Sequence, residues 1–281
     1  MSDRLTWAGL RSEAAERLRR AGRPSPDADA RWLVEQAAPD LHGPVTDRAL
    51  VYFDEMVARR EAGEPLQYVL GSWGFRSLDL YVDRRVLIPR PETEVVTESA
   101  IDELRALGGG VAVDLGTGSG AIALSIAVEV PTAEVWGVER SPAALAVARA
   151  NLAGIGRPAR RVRLVEGDWF AALPDELRGR VDVVVSNPPY VAADDDLPAE
   201  VAEWEPSEAL LAGPDGLDDI RRIVADAPGW LARPGALVVE CAPMQAGAVA
   251  ALVEAAGFDE VAVRHDYTGR ERFVRGRLGP S

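Results

Sequence analysis

The sequence predicts an α/β protein in two parts: a small helical bundle, then a mostly parallel seven-stranded sheet with helices on both faces and an antiparallel last strand. Three observations carry that expectation. From Val86 on, short β-branched runs alternate with helical stretches, the rhythm of a parallel sheet. A glycine-rich turn, Gly116-Thr117-Gly118-Ser119-Gly120, joins one such run (111–115) to an apolar helical stretch (121–127). Residues 1–70, by contrast, place apolar side chains at helical spacing.

In chain order, Leu5, Trp7 and Leu10 run into Ala14, Ala15 and Leu18 with charges between them, which predicts a first amphipathic helix. Asp27 or Asp29 is positioned to cap a second helix through Trp32-Leu33-Val34. Thr46 opens a third through Phe53, Met56 and Val57, ending near Gly63. Pro24, Pro26, Pro39, Gly43 and Pro44 fall in the connections, and Trp7, Trp32 and Phe53 are assigned to the core. Residues 1–70 thus form the bundle and 71–86, alternating and carrying Gly74, a β-hairpin linker; residues 87–281 form the second domain. Its strands are expected near 111–115, 134–138, 162–166, 181–186, 236–240, 259–264 and 271–276. Helices lie between the first five, among them 142–151 and 216–230. Asp266-Tyr267-Thr268-Gly269 reads as the turn that makes the last pair antiparallel.

Two turns carry candidate chemistry. The run 181–186 is β-branched enough to be buried on both faces, and Asn187-Pro188-Pro189-Tyr190 ends it, because neither proline can donate to a sheet. Ligands of open parallel sheets bind at the carboxyl ends of strands. There Asn187 offers an amide, the Asn187 and Pro188 carbonyls offer acceptors, and Tyr190 offers a flat face, a set suited to a planar NH2 group. The glycine turn reads as a nucleotide-type cradle. Its third glycine comes one residue earlier than in the dinucleotide fingerprint, and Asp114 sits two residues before the first, so the D-x-G-x-G-x-G pattern resembles motif I of S-adenosylmethionine-dependent methyltransferases; an NAD or FAD site is the rival. Glu139 ends the next strand, where a carboxylate can accept both hydroxyl protons of a ribose.

Composition narrows the class. Of 281 residues, 47% are hydrophobic and 27% charged, ordinary for a globular protein with a full core. The net charge is −14, which argues against a nucleic-acid substrate and suits a basic protein partner. A single cysteine, Cys241, permits no internal disulfide and fits a reducing cytoplasm; it reads as a small core residue. His42 and His265 stand far apart with no cysteine cluster, so no metal site is expected. Neither a membrane-length apolar run nor a signal-peptide core is found. The acidic run Asp194-Asp195-Asp196, continued by Glu200, Glu203, Glu205 and Glu208, reads as a solvated loop or as a mouth that attracts a basic partner.

The chain closely resembles the protein-(glutamine-N5) methyltransferases that modify peptide chain release factors. The resemblance rests on the segments 64–71 (Glu-Pro-Leu-Gln-Tyr-Val-Leu-Gly) and 86–94 (Val-Leu-Ile-Pro-Arg-Pro-Glu-Thr-Glu), on both turns, and on 265–272, and so spans essentially the whole chain. Asn-Pro-Pro-Tyr alone is shared with nucleic-acid amino-methyltransferases, which use it on a flipped base. A sister family acting on a large-subunit ribosomal protein tends to carry a Ser-Pro variant in the 86–94 segment, so Pro-Glu-Thr-Glu favours the release-factor branch. The resemblance implies a Rossmann-like class I methyltransferase domain using S-adenosylmethionine, with S-adenosylhomocysteine as product, and a release factor as substrate. It implies that Gly116, Thr117, Gly118, Ser119 and Gly120 wrap the methionine part of the cofactor and Glu139 the ribose, with Trp169 packed on adenine and Asp168 near its amino group. Asn187, which would also border the cofactor, and the Pro188 carbonyl would accept the substrate amide protons, with Pro189 and Tyr190 completing the site. Segment 86–94, stiffened by Pro89 and Pro91 into an extended strand of chain, would shape the substrate channel. A cytoplasmic monomer, active on a protein rather than on nucleic acid or membrane, is expected.

Overall fold

The computed structural model describes residues 5–38 and 40–280; Pro39, expected in a connection, lies outside them. Two compact units emerge, one running to Ser72 and including Pro198–Trp204, the other comprising Trp73–Leu197 and Glu205 onward.

The first unit holds α1 (Trp7–Arg20), α2 (Pro26–Ala37), α3 (Asp47–Glu61) and a short α4 (Leu66–Leu70), with α8 (Ala199–Trp204) joining from later in the chain. The hydroxyls of Thr6 and Thr46 accept from the backbone N–H of Gly9 (3.1 Å) and Ala49 (3.3 Å), capping α1 and α3. The core includes Leu18, Leu33 and Met56, with Trp7 set edge-to-face on Phe53 at 6.1 Å. Two expectations are corrected here. Ser25 occupies the N-cap of α2, so Asp27 and Asp29 fall in its first turn, and Asp29 is buried against Arg60 at 2.7 Å. Trp32 is 41% exposed, because Ala30, Leu33, Val34 and Ala37 form the buried i, i+3, i+4, i+7 stripe and leave position 32 off it. Arg60 also pairs with Glu200 at 3.2 Å, which ties α8 to this bundle.

The second unit begins with a two-stranded hairpin, β1 (Ser72–Phe75) and β2 (Leu78–Tyr81), followed by α5 (Pro91–Ala106). Then come β3 (Gly110–Leu115), α6 (Ala121–Glu129), β4 (Ala133–Glu139), α7 (Pro142–Gly154), β5 (Val162–Glu166), β6 (Val181–Ser186), α9 (Asp218–Asp226), β7 (Leu231–Glu240), α10 (Ala246–Ala255), β8 (Glu260–His265) and β9 (Glu271–Leu278). The sheet order is β5-β4-β3-β6-β7-β9-β8, and β9 runs antiparallel to both β7 and β8. The expected seven strands and their antiparallel member are therefore present. The helices agree less well. Pro91 does not extend the chain but starts α5, where its missing N–H is one of the four a helix leaves unpaired anyway. Between β5 and β6 only two 3-10 turns stand in place of a helix. The helix expected over 216–230 is α9, which gives way to a 3-10 turn at Ala227–Gly229.

The strand order reverses direction around β3, which pairs β4 on one side and β6 on the other. Leu115 and Ser186 are register partners, so the glycine turn and the Asn-Pro-Pro-Tyr turn leave adjacent strand ends at this switch point.

Candidate active site

The glycine turn is built from backbone. The N–H groups of Gly116 and Thr117 both donate to the Val138 carbonyl at 2.9 Å, folding the chain back over β4. Gly116 has φ 74°, and a Cβ there would sit 3.3 Å from the Trp169 ring, so glycine is needed both for the turn and for the open space above it. Only Gly116 and Gly118 of the five turn residues line the adjacent cleft. Thr117 points inward, its hydroxyl donating to Asp114 Oδ2 at 2.6 Å. The Ser119 carbonyl accepts from Asn151 Nδ2 at 2.8 Å, and Gly120 lets Leu124 approach to 3.0 Å of where a Cβ would be. Burial pushes the Asp114 carboxyl up to about 7, and its Oδ1 has no partner.

A cleft opens beside this turn. Glu139 lines it; its two oxygens accept from Gly118 N and Ser141 N at 2.9 Å each, and each keeps a further lone pair. Trp169 lines it too, held at φ 47°, a left-handed conformation costly for a bulky residue, and its Nε1 donates to Asp219 Oδ1 at 3.3 Å. Asp168 borders the cleft, but its carboxylate accepts from Arg222, so that oxygen is already engaged. The residues present fit S-adenosylmethionine: a glycine turn whose Gly116 a Cβ would crowd against Trp169, the Glu139 carboxylate beside it with lone pairs left to accept, and the Trp169 indole bordering the same cleft.

The second turn is built from side chains. The Ser186 hydroxyl donates to the Leu115 carbonyl at 2.7 Å and locks the two strand ends together. Asn187 and Pro189 line the cleft, while Pro188 is buried. Asn187 Nδ2 donates to Thr93 Oγ1 at 3.1 Å, and its Oδ1 accepts nothing from the described residues. Thr93 donates to Glu240 Oε2 at 2.7 Å, and the Tyr190 hydroxyl donates to Glu240 Oε1 at 3.2 Å. Glu240 is fully buried at the end of β7; burial pushes its carboxyl up to about 7, and burial together with Glu240 pushes the Tyr190 phenol up as well. The Tyr190 carbonyl accepts from Gln245 Nε2 at 2.9 Å.

Glu240 was not expected at the site, and Thr93 only as a member of segment 86–94. The signal for Glu240 was present, a carboxylate closing the apolar run 236–239. Segment 86–94 lines the cleft with Val86 and Leu87 and meets the second turn through Thr93. Arg90 pairs at 2.5 Å with the buried Glu205, which also accepts from Ile88 N at 3.1 Å. The acidic run is accordingly not one charged surface: Asp194, Asp195, Asp196, Glu203 and Glu208 are exposed, whereas Glu205 and Glu200 are paired. Cys241 is buried, its thiol pushed up to about 12 by burial. Among the described residues no cluster of metal-binding side chains occurs and no helix is long and apolar enough to cross a membrane.

Known proteins show which family the chain resembles. Residues 93–203 match the family model described as Methyltransferase small domain, and residues 40–71 the PrmC N-terminal domain. A release factor glutamine methyltransferase of Burkholderia pseudomallei is 45% identical over 88% of this chain and 87% of its own. Another, from Cereibacter sphaeroides, is 42% identical over 94% and 96%. A methyltransferase crystal structure from Pyrococcus furiosus, 18% identical, shares the fold with a TM-score of 0.54 over 83% of this chain and 98% of that one. At such identity over nearly the full length of both partners, the chain belongs to the release factor glutamine methyltransferase family.

Proposed function

We propose that the chain methylates the side-chain nitrogen (N5) of the glutamine in the Gly-Gly-Gln loop of class I peptide chain release factors, and thereby supports translation termination. The observation that carries this reading is Asn187: it borders the cleft with its Nδ2 engaged by Thr93 and its Oδ1 free to accept. An amide nitrogen is a poor nucleophile, since its lone pair is delocalised into the carbonyl. Asn187 Oδ1 and the Pro188 carbonyl accept its two protons, orient the nitrogen toward the cleft and stabilise positive charge as it builds there. Tyr190 packs on the amide plane and excludes water. When bound, S-adenosylmethionine supplies an electrophilic methyl group. Gly116 and Gly118 hold its methionine part, with Thr117, Ser119 and Gly120 shaping the turn beneath. Glu139 accepts from the ribose hydroxyls and Trp169 packs on the adenine. Positioning supplies much of the acceleration, since good alignment is worth up to roughly 7–11 kcal/mol.

In the same reading residues 1–70 recognise the release factor, 71–86 link, and 87–281 catalyse. The protein acts as a cytoplasmic monomer with no nucleic-acid substrate; its net charge of −14 supports the last point. Mass spectrometry of a release factor incubated with the protein and S-adenosylmethionine tests the proposal. One added methyl on the Gly-Gly-Gln glutamine, lost in Asn187→Ala, is the expected result; an unmodified glutamine with intact cofactor binding would redirect the search to ribosomal proteins and nucleic acids.

A further inference from the structure

Asn187 is useful to an amide substrate only in one of its two orientations. With Oδ1 toward the cleft it accepts; rotated by half a turn it presents an NH2 donor to another NH2 group. The two orientations have nearly the same shape, so packing alone discriminates poorly between them, and hydrogen bonding must decide.

A chain of three side chains decides it. A carboxylate only accepts, so the acceptor at the buried end is Glu240 Oε2, 2.7 Å from Thr93 Oγ1. The threonine hydroxyl has one proton and spends it on Glu240. Its remaining lone pairs can only accept, and the group they accept from is Asn187 Nδ2 at 3.1 Å. The second oxygen of the same carboxylate takes the Tyr190 hydroxyl proton at 3.2 Å. Thr93, on α5, and Glu240, on β7, are 5% and 0% exposed, so water does not compete for these bonds.

We propose that Glu240 is a positioning residue for methyl transfer: acting through the Thr93 hydroxyl, it fixes the polarity of the Asn187 amide so that Oδ1, not Nδ2, meets the substrate nitrogen. This rests on the reading of Asn187 as the acceptor for the glutamine amide. Glu240→Gln keeps the shape but can offer Thr93 an NH2 donor, which frees the threonine proton to point at Asn187 and turns the amide round. Thr93→Val removes the relay and keeps the volume; Thr93→Ser keeps the hydroxyl.

Protonation of Glu240 has the same consequence as the glutamine substitution. The groups facing it are Thr93 and Glu92 from α5, Tyr190 from the turn after β6 and Arg272 from β9. Arg272 stays charged throughout the working range and Tyr190 stays protonated, so Glu92 is the group that needs a control.

The test is the pH dependence of kcat for glutamine methylation, beside cofactor affinity measured by calorimetry. The wild type must first methylate the release-factor glutamine; if it does not, the proposed function fails and the relay is not what failed. Given activity, the wild-type kcat is expected to fall on the acid side with a midpoint near 7. Glu240→Gln and Thr93→Val are expected to lower kcat on the order of 10- to 100-fold, to lose that acid limb, and to leave the S-adenosylmethionine Kd within about twofold. Thr93→Ser is expected to restore both rate and limb, and Glu92→Gln to retain the limb. An unchanged kcat in Glu240→Gln, an acid limb that survives in Thr93→Val, or no recovery in Thr93→Ser would each overturn the proposal.

Discussion

The turns after β3 and β6 stand side by side on adjacent strands, yet they are made of different materials. The first is shaped by main chain: three glycines with positive φ, and two N–H groups folded onto the Val138 carbonyl. The second is shaped by side chains drawn from three distant places, with Thr93 and Glu240 lying 94 and 53 residues from Asn187 by their numbers. A backbone cradle tolerates any ligand that fits the space and the donors. A side-chain relay distinguishes a donor from an acceptor. The difference suits a half that holds a common cofactor and a half that must orient one amide.

The sharpest way to separate the halves is Asn187→Ala. Loss of one preorganised polar contact to the reacting group is expected to lower kcat on the order of 10²- to 10³-fold, with the cofactor Kd unchanged by calorimetry. Gly116→Ala is the mirror experiment. A left-handed non-glycine residue costs about 1–2 kcal/mol, and the new Cβ presses on Trp169, so a Kd for S-adenosylmethionine raised on the order of 10- to 100-fold is expected while kcat at saturation changes less. If instead kcat collapses in Gly116→Ala and Kd is spared, the division fails.

The cradle also carries a pH signature of its own. The Asp114 carboxyl is raised in the folded state, so ionising it disfavours folding. That penalty is absent below the unfolded value near 4, grows as pH rises and is complete above about 7, amounting to roughly 2–4 kcal/mol. Urea unfolding of the cofactor-free protein at pH 5.5 and 8 is expected to show this loss added to that of Glu240, and Asp114→Asn to reduce it while leaving the share of Glu240. Trp169→Ala is expected to weaken cofactor binding about tenfold, the usual worth of an aromatic face on a base. The smallest effect belongs to the exposed Asp194-Asp195-Asp196 run: replacing all three with Asn is expected to slow release-factor association by a few-fold at low salt, to abolish part of its salt dependence, and to leave kcat alone.

The same contrast explains what could be read from the sequence. All seven strands of the sheet were legible, the first five as apolar runs and the charged last two from the turn at 266–269 that joins them, although β7 begins at Leu231, five residues before its expected start; the glycine turn was legible because its parts are contiguous. The α5 helix was not legible because a proline stiffens an extended segment as readily as it opens a helix, and Pro91 in first position does the second. Trp32 was misplaced because aromatic character says less about burial than helical phase does. Thr93 falls in segment 86–94, which was expected at the substrate channel, but its own role was not legible; Glu240 was missed altogether, because only the pairing of β6 with β7 and the packing of α5 bring the two to Asn187.

The position of β9 bears on how the enzyme is made. It is synthesised after both strands it separates, since β7 and β8 precede it in the chain and flank it in the sheet. A nascent chain that has reached β8 therefore holds β7, with Glu240 at its tip, along an edge whose partner does not yet exist; Glu240 later faces Phe273 across that gap. Open edges of this kind invite pairing with other chains. Completion of the sheet beside Glu240 thus waits on a strand made after it, and a chain stopped between Asp266 and Arg272 would leave the β7 edge without its partner.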